Sequence, residues 1–415
     1  MTKNSALELN YCRLCKSKNL KLVLDLGKSP LPNALLKKSQ RKKGELSFPL
    51  KVNFCPKCNQ VQLSHVVSPE LMFRKYAYVS STSPVMMAHF QEYADTVFKK
   101  LKLKKGDLVV ELGSNDGFLL KQFKKLGTRV LGIDPARNIA AIATKEGITT
   151  LPQFFNSNVA KKVVKKYGKA KVITANNVFA HIHDLDEVVE GVKELLHENG
   201  VFIIEFPYLI DFIDENVFDA VYHEHLSYLA IKPLDKFFKS FGMQIFDCFR
   251  TPVQGGSIRI FVKKQTGIYQ PTKKVTKLLE LEKKKKLDQI QTYLEFAKKV
   301  QATKKSLKAL LAKLKKQNKN IVGYGAPGRS TTLFNYCGID NKILDYIVDD
   351  NPLKLGLYTP GSHIPIFDII QIQKTNPDYV LISSWNYAKP IIKKLNNYKR
   401  SGGKFIIPLP KPYII

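Results

Sequence analysis

Four cysteines stand in two closely spaced pairs in the first part of the chain. Cys12 and Cys15 form one C-x-x-C pair, and Cys55 and Cys58 form the other. Each pair can lie on one tight turn and offer two thiolates to the same ion, so together they complete a tetrahedral shell of four sulfurs, as in a zinc site. Because a closed shell leaves no position for water or substrate, we expect one zinc ion with a structural role.

A second group of reactive side chains is continuous in sequence: Tyr222, His223, Glu224 and His225. A neutral imidazole titrates near the working pH and is suited to remove a proton, while a carboxylate or phenol can orient or hydrogen-bond a substrate. In an extended segment alternate residues share a face, so we expect Tyr222 and Glu224 to face one way and the two histidines the other. The spacing is not that of a His-Glu-x-x-His helix, which disfavours a catalytic metal; a structural hydrogen-bond network is the alternative.

A glycine-rich turn, residues 111–117, connects an apolar strand pattern to a helical pattern over 118–125. Such a turn lets a ligand approach the backbone at a helix N-terminus. A second predicted strand ends at Asp134, 21 residues beyond Gly113, where a carboxylate can accept the hydroxyls of a ribose. Glu111 would repel a dinucleotide pyrophosphate but suits the cationic amino-acid part of S-adenosylmethionine, directly or through water. The turn therefore favours that ligand, and a tight turn without a ligand is the alternative.

Another glycine-rich turn has the pattern G-x-G-x-x-G at residues 323–328, between a predicted strand and a helical pattern that begins at Arg329. Asp349 and Asp350 follow it. By pattern alone this is the better dinucleotide fingerprint, and it motivates the alternative of an NAD-dependent nucleotide-sugar oxidoreductase. Pro327 removes one backbone donor from the turn, and only four strands are predicted around it, which favours a half-site.

The elements that must position these groups divide the chain into four segments. Residues 1–75 are loop-rich and carry the paired cysteines, with a strand predicted at 20–26. Residues 76–265 alternate strands and helices, which is typical of a mainly parallel sheet covered on both faces. The strands predicted there are 108–112, 129–133, 171–175, 200–206, 243–249 and 257–262.

The remaining two segments are a helical linker, 266–318, and a small Rossmann-like domain, 319–415. The linker contains a lysine-rich stretch, 272–317, without Pro or Gly, whose leucines recur at helical spacing. A membrane-surface face is one interpretation of these helices, and a solvated face is the other. The strands predicted in the last segment are 320–324, 344–348, 379–383 and 404–408.

Charge is the one compositional outlier, because 67 Lys and Arg against 35 Asp and Glu give a net charge of +32. This favours polyanionic partners in principle, and a zinc-containing nucleic-acid-binding protein would show salt-dependent binding. The lysines are spread through every segment without an Arg-rich or aromatic-interleaved stripe, so we expect no nucleic-acid partner. No apolar run approaches the length of a membrane span or a signal peptide. We expect a cytoplasmic monomer whose thiols stay reduced.

Taken together, these motifs resemble those of the deoxysugar C-methyltransferases that act on nucleotide-linked 4-keto sugars. The resemblance covers almost the whole chain in the order of that family. The motifs are Cys12-Arg13-Leu14-Cys15, Leu24-Asp25-Leu26-Gly27, Cys55 to Cys58, Ser68-Pro69-Glu70-Leu71, Tyr76-Ala77-Tyr78-Val79-Ser80, Gly113-Ser114-Asn115-Asp116-Gly117, Gly132-Ile133-Asp134-Pro135-Ala136, Asn176-Asn177-Val178-Phe179-Ala180-His181-Ile182, Tyr222-His223-Glu224-His225, Gly255-Gly256-Ser257, Gly323-Tyr324-Gly325-Ala326, Asp349-Asp350-Asn351-Pro352 and Trp385-Asn386.

The resemblance implies an α/β protein of three parts: an N-terminal zinc-binding domain, a central Rossmann-like class I methyltransferase domain, and a C-terminal Rossmann-like domain that completes a sugar-nucleotide cleft. The methyl donor is S-adenosylmethionine, and the acceptor is a keto sugar on a nucleotide, with methylation at the third carbon of a dTDP-linked sugar as the analogy. The cofactor-binding residues are then Glu111, Gly113, Asn115, Asp116, Gly117, Asp134, Pro135, Asn176 and Asn177.

For the chemistry, the resemblance implies that His225 removes a proton next to the ketone to give an enolate. Its other predicted catalytic residues are Tyr222, Glu224, His181 and Tyr76. Tyr76 and the hydroxyl-rich stretch 80–83 resemble a lid over the donor, and a polar surface loop is the alternative. The predicted substrate-binding residues are Tyr222, Gly323, Gly325, Arg329, Asp349 and Asn386. Relatives often carry Lys at the position of Arg329, which keeps the charge and changes the geometry of a pyrophosphate contact.

Overall fold

The computed structural model describes residues 6–74, 76, 79–82 and 84–415, except for the side chains at 82 and 84. Its N-terminal segment contains the strands β1 (Ala6–Glu8), β2 (Lys21–Pro30), β3 (Ser47–Phe54), β4 (Val61–Leu63) and β5 (His65–Val67), and the helix α1 (Pro69–Phe73). Strands β1 and β5 pair with each other, while β2, β3 and β4 form an antiparallel sheet.

A strand from the middle of the chain completes this N-terminal sheet. The strand β11 (Ser227–Tyr228) pairs with β4, and Leu63 N donates to the Leu226 carbonyl over 3.0 Å. Because β11 begins two residues after residue 225, the N-terminal sheet is attached to the segment that carries the predicted catalytic residues. The segment boundaries drawn from sequence pattern are therefore crossed by backbone pairing.

The central segment forms a seven-stranded sheet in the order β12-β13-β10-β9-β6-β7-β8. Pairing is parallel except at β13, which runs antiparallel to both of its neighbours. The strands are β6 (Leu108–Leu112), β7 (Arg129–Ile133), β8 (Thr150–Leu151), β9 (Ala170–Asn176), β10 (Leu196–Pro207), β12 (Met243–Thr251) and β13 (Ser257–Lys264). Since β6 lies between β7 and β9, the chain reverses its direction across the sheet at β6, and ligands bind open α/β sheets at such a switch point.

Helices cover both faces of this sheet, as the alternation of strand and helix predicts. They are α2 (Pro84–Lys100), α3 (Phe118–Lys125), α4 (Arg137–Lys145), α5 (Ser157–Tyr167), α6 (Leu185–Leu195), α7 (Leu209–Asp214) and α8 (Ile231–Ser240). Alternate strand residues enter two separate cores. Val109 belongs to the same core as Tyr93 of α2, and Val110 belongs to the same core as Val163 of α5.

The predicted helical linker forms two helices, α9 (Lys273–Lys284) and α10 (Ile290–Lys316), that are packed rather than free. Tyr293 of α10 packs against Phe54 of the N-terminal sheet, with tilted rings whose centroids are 4.8 Å apart. Glu282 of α9 is buried and accepts hydrogen bonds from the backbone N–H groups of Ile231 and Lys232, at the start of α8. The two helices therefore fix the N-terminal sheet against the central one. No helix in the described ranges is both long and apolar enough to cross a bilayer.

The C-terminal segment is a six-stranded sheet in the order β16-β15-β14-β17-β18-β19, parallel except for β19. Its elements are β14 (Ile321–Tyr324), α11 (Gly328–Cys337), β15 (Ile347–Val348), β16 (Ile366–Phe367), α12 (Ile370–Thr375), β17 (Tyr379–Ile382), α13 (Ala388–Lys394), α14 (Asn396–Arg400), β18 (Lys404–Ile407) and β19 (Tyr413–Ile414). The prediction of only four strands is wrong, because β16 and β19 have two residues each and are too short to give a periodic pattern. Strand number therefore does not argue against a dinucleotide fold here.

The N-terminal and C-terminal segments also touch each other. Leu36 and Tyr358 form a backbone bridge, and Glu45 accepts hydrogen bonds from the backbone N–H of Gly361 at 2.9 Å and from the His363 ring at 2.5 Å. The four-stranded N-terminal sheet, the central sheet and the C-terminal sheet thus surround one space, at the end of the central sheet where β6 and β9 stop.

Candidate active site and metal centre

The four paired cysteines converge on one point. Cys12 Sγ lies 3.5 Å from Cys58 Sγ, Cys15 Sγ lies 3.6 Å from Cys55 Sγ, and the four sulfurs are all within 4.8 Å of one another. A tetrahedral zinc ion with Zn–S bonds of about 2.3 Å needs sulfurs about 3.8 Å apart, so the cluster fits zinc. Three of the four residues are buried, which suits a structural ion.

Two equivalent turns hold these cysteines. Each C-x-x-C pair is closed by a backbone hydrogen bond to the carbonyl of its first cysteine, from Lys16 N in one turn and from Asn59 N in the other. Both closing residues have positive φ, +59° and +71°. The backbone is thus already folded to direct the sulfurs of each pair to the same side.

A cavity of about 780 Å³ opens between the N-terminal, central and C-terminal segments. The predicted site residues that line it come from all three parts of the chain. They are Tyr76, Gly113, Asn115, Asp134, Pro135, Asn176, Asn177, His181, Tyr222, Glu224, His225, Arg329 and Asp349. The predicted residues Glu111, Asp116, Gly117, Gly323, Gly325 and Asn386 are outside its lining.

The first glycine-rich turn forms the cavity wall at the switch point. Gly113 has φ +64°, and a Cβ there would come within 2.2 Å of Val178 Cγ2, so no other residue fits. Asp134, at the end of β7, accepts hydrogen bonds from Asn115 N and Ala136 N, each at 2.8 Å. The carboxylate is therefore held by backbone donors next to the turn and still has lone pairs for ribose hydroxyls.

Glu111 lies behind the turn rather than in the cavity wall. Its carboxyl is buried, Oε1 accepts a hydrogen bond from Asn176 Nδ2 at 3.3 Å, and Oε2 has no hydrogen-bond partner within the described chain. Burial raises the pKa of Glu111 well above its ordinary value. A buried acid without a counter-charge fits a cationic ligand such as S-adenosylmethionine, because that charge would favour ionisation of the carboxyl.

We expect binding of S-adenosylmethionine to release a proton. The pKa of Glu111 is raised in the free protein, and a nearby cation lowers it, so affinity should increase as the pH rises through the interval between the two values. Calorimetric titrations in buffers of different ionisation enthalpy measure the released proton. In the Glu111→Gln variant, the affinity should no longer depend on pH in this interval. If the variant releases as many protons on binding as the wild type, the proton comes from another group.

The segment before α2 closes over the turn. Ser80 N donates to Asn115 Oδ1 at 2.9 Å, and Ser81 N donates to Asp116 Oδ2 at 3.1 Å. Tyr76 OH donates to Glu224 Oε2 at 2.8 Å. Asp116, although outside the cavity lining, thus anchors this segment. That this segment acts as a lid over the donor stays a prediction. Two parts of the predicted lid, Ser83 and the side chain of Thr82, lie outside the described residues.

Residues 222–225 form a turn and not an extended strand. His225 N donates to the Tyr222 carbonyl at 2.9 Å, which brings the two rings to a centroid distance of 4.0 Å. Tyr222, Glu224 and His225 therefore all line the cavity. His223 points away, with Nε2 3.1 Å from the Phe48 carbonyl. The prediction that the two histidines share a face is wrong, because the turn reverses the alternation expected of extended backbone.

His225 is held in one tautomer. Its Nδ1 lies 2.7 Å from the Ala220 carbonyl, an acceptor only, so Nδ1 carries the proton and Nε2 keeps its lone pair. Burial lowers the pKa of His225 to about 4, with a further lowering by Arg329, so the ring is neutral at neutral pH. The His181 ring lies 5.0 Å away, and burial also lowers its pKa.

Glu224 connects two distant parts of the chain across the cavity. It accepts hydrogen bonds from Tyr76 OH and, at 3.0 Å, from Asn33 Nδ2 of the N-terminal segment. Burial raises its pKa to about 7. Asn33 lines the cavity and was not predicted, because a lone asparagine in a loop carries no pattern that marks it.

The C-terminal wall of the cavity carries two cations. Arg329 Nε pairs with Asp219 Oδ2 at 3.2 Å, and the same oxygen accepts a hydrogen bond from Trp385 Nε1 at 2.8 Å. Lys354 Nζ donates to Asp349 Oδ2 and to the Ala326 carbonyl, both at 3.0 Å. Within the described ranges, the Arg329 terminal nitrogens and one Lys354 N–H thus remain for a ligand.

The second glycine-rich turn is shaped by packing. Asp349 Oδ2 accepts a hydrogen bond from Ala326 N inside the turn. Gly325 has φ +92°, and a Cβ there would come within 2.2 Å of Ser384 Oγ. A Cβ at Gly323 would meet Ile347 at 2.7 Å. Sequence pattern missed Lys354 and Asp219, since lysines are too frequent in this chain and a buried aspartate has no motif.

Comparisons with known proteins agree with this architecture. A family model described as "Putative zinc binding domain" matches residues 12–73, one described as "Methyltransferase domain" matches 87–247, and one described as "C-methyltransferase C-terminal domain" matches 252–410. The C-methyltransferase NovU of Streptomyces niveus is 35% identical over 407 residues, which cover 98% of this chain and 97% of NovU.

More distant similarities involve the central part. The ubiquinone biosynthesis O-methyltransferase of Rhodopseudomonas palustris (strain HaA2) is 24% identical over 135 residues, which cover 31% of this chain and 53% of that protein. The crystal structure of magnesium protoporphyrin IX methyltransferase from Synechocystis PCC 6803 with bound SAM aligns with a TM-score of 0.33 and 15% identity, over 43% of this chain and 81% of that one.

The fold, the switch-point turn and the matching domains define an S-adenosylmethionine-dependent methyltransferase with a four-cysteine zinc-binding domain. Within that class, the chain belongs to the family of C-methyltransferases that includes NovU. The predicted fold class, enzyme class, methyl donor and zinc ion are thereby confirmed. The oxidoreductase alternative has no support among these relatives.

Proposed function

We propose that the protein transfers a methyl group from S-adenosylmethionine to a ring carbon of a nucleotide-linked 4-keto sugar. The observation that carries the proposal is the cavity, in which the first glycine-rich turn, the turn at 222–225 and the cations Arg329 and Lys354 meet. Removal of a proton from the carbon next to a ketone needs a base, and binding of a negatively charged diphosphate needs cations. The cavity supplies both within reach of a donor site.

Proton removal is assigned to His225. Its neutral Nε2 accepts the proton from the carbon next to the ketone, and the electron pair of the broken C–H bond moves into the enolate. The hydroxyl of Tyr222, whose ring lies against His225, is placed to donate to the enolate oxygen, with His181 beside them. S-adenosylmethionine, when bound, supplies an electrophilic methyl group. The enolate carbon forms the new C–C bond as the methyl–sulfur bond breaks and its electrons stay on sulfur.

Glu224 and Tyr76 are assigned to positioning and closure. Their hydrogen bond ties the segment over the donor turn to the catalytic turn, and Asn33 ties the same carboxyl to the N-terminal segment. Closure of this kind excludes water, so the donor methyl has no competing acceptor. At the other wall, the terminal nitrogens of Arg329 would contact the diphosphate, while its Nε stays on Asp219.

The proposal is tested with a panel of dTDP- and UDP-linked 4-keto-deoxysugars. Intact-mass measurement should find one acceptor that gains a methyl group with equimolar formation of S-adenosylhomocysteine. In D₂O with S-adenosylhomocysteine as the only cofactor, the same acceptor should exchange the hydrogen next to its ketone. If the donor binds and no 4-keto sugar nucleotide in the panel is methylated or exchanged, the proposed acceptor class is wrong.

Lys354→Met should raise KM for the sugar nucleotide by roughly tenfold, because one charge-assisted hydrogen bond contributes about 1.5 kcal/mol or more. We expect kcat to change by less than about threefold, since the side chain is assigned to the diphosphate and not to the reacting carbon. Lys319→Met is the matched control: it removes a lysine that pairs with Asp378, and neither residue lines the cavity. Equal KM values for the two variants would remove Lys354 from the binding site.

A further inference from the structure

Arg13, between two metal-binding cysteines, is buried without a carboxylate partner in the described chain. Only 2% of its surface is exposed, and its Nε and Nη2 atoms have no hydrogen-bond partner among the described residues. An unpaired buried guanidinium is expensive, so a counter-charge must come from another source.

The metal centre itself can supply that charge. Four thiolates with one zinc ion carry a net charge of roughly −2, since each sulfur contributes −1 and the ion +2. Cys12 and Cys15 flank Arg13 in sequence, and their turn also orients the Arg13 backbone, whose N–H donates to Gln62 Oε1 at 2.8 Å. Arg13 and Lys16 each directly follow one of these cysteines, but Lys16 is exposed and pairs with Asp186, so Arg13 is the buried cation of this turn.

The other end of Arg13 reaches the wall of the active-site cavity. Its Nη1 lies 3.0 Å from His183 Nδ1 and 3.4 Å from the His183 carbonyl. A guanidinium can only donate, so His183 Nδ1 must accept, and the ring proton is placed on Nε2. His183 lines the same cavity as the first glycine-rich turn. With this tautomer, His183 has an N–H at Nε2 that it can offer to a ligand in the cavity.

We propose that Arg13 couples the metal centre to the cavity: its charge balances the zinc–thiolate cluster, and its Nη1–H holds His183 as an Nε2–H donor toward an acceptor atom of a bound nucleoside. The acceptor is a carbonyl oxygen or ring nitrogen, which both the methyl donor and a sugar nucleotide carry. The zinc-binding turn thereby contributes to ligand recognition as well as to folding. The inference does not depend on which sugar is methylated.

Zinc retention tests the charge-balance half. Arg13→Met removes the charge at similar volume, Arg13→Lys keeps it, and Lys16→Met removes a neighbouring surface lysine that pairs with Asp186. In competition with a chromophoric chelator, we expect Arg13→Met to lose zinc at a chelator concentration at least tenfold lower than the wild type, and the other two variants to stay within about threefold. Equal retention by all proteins, or equal loss in Arg13→Lys and Arg13→Met, would overturn this half.

Nitrogen NMR of labelled histidine rings tests the tautomer half without turnover. The wild type should give His183 as a single Nε2–H tautomer, and Arg13→Lys, which retains zinc and fold, should give a mixture because an ammonium lacks the reach and plane of the guanidinium. A His183→Gln spectrum assigns the signals. An Nδ1–H tautomer in the wild type, or an unchanged tautomer in Arg13→Lys, would overturn the contact.

Ligand binding identifies the nucleoside. Calorimetry should show that His183→Phe binds either S-adenosylhomocysteine or thymidine diphosphate with an affinity roughly fivefold to tenfold lower than the wild type. This is the effect expected from the loss of one neutral hydrogen bond of about 1 kcal/mol. A loss for the first probe assigns His183 to the methyl donor, and a loss for the second assigns it to the sugar nucleotide. Unchanged affinity for both would remove His183 from ligand recognition.

Discussion

His225→Asn should lower kcat by roughly 10²- to 10⁴-fold, the range that a positioned general base contributes. The asparagine amide can replace His225 Nδ1 as the donor to the Ala220 carbonyl, so the local backbone is kept while the lone pair of Nε2 is lost. Affinity for S-adenosylhomocysteine should stay within about twofold, because the donor turn is untouched. Single-turnover methyl transfer and deuterium exchange of the acceptor should fall by the same factor.

The control for this prediction is the other imidazole of the same turn. His223 is buried whereas His225 is half-buried, and the His223 Nε2 faces the Phe48 carbonyl of the N-terminal sheet, outside the cavity lining. His223→Gln keeps a donor at that position and should lower thermal stability more than kcat. The assignment of the base fails if His225→Asn retains activity within about tenfold of the wild type, or if both variants lose the same amount.

The different positions of His225 and His223 could not be predicted from the sequence, although the bounds of several helices and strands could. The strands β6 and β7 and the helix α3 have the predicted bounds, because each has an unbroken apolar or helical pattern that ends at a glycine or a turn. The segment 222–225 has no such pattern. Its shape depends on acceptors supplied by distant backbone, namely the carbonyls of Ala220 and Phe48. Which histidine enters the cavity is therefore a tertiary property.

The same reason explains the residues that were missed and those that were misplaced. Asn33 and Lys354 acquire their roles through partners far away in sequence, Glu224 and Ala326. Gly323 and Gly325 matched a nucleotide-binding pattern, yet each glycine is explained by the close approach of a side chain. A short motif reports that the backbone needs glycine, and it does not say whether a ligand or a neighbour requires it.

Loss of the zinc ion should be the largest single effect on stability and should also reach the active site. Cys58→Ser removes one thiolate from a shell that is closed by the protein alone, and structural zinc contributes on the order of 10 kcal/mol to the folding of the segment that binds it. We expect metal analysis to find no bound zinc and calorimetry to find an early, separate unfolding transition for the N-terminal sheet.

Activity should be lost with the metal although no cysteine of the cluster lines the cavity. Strand β4 of the N-terminal sheet pairs with β11, which begins two residues after the turn at 222–225, and Asn33 holds Glu224. The first glycine-rich turn belongs to the central sheet, so affinity for S-adenosylhomocysteine should fall much less than kcat. Cys248→Ser is the matched control, a buried thiol outside the cluster. If the zinc-free variant has the same unfolding transition and the same kcat as Cys248→Ser, the N-terminal sheet does not support the turn at residues 222–225.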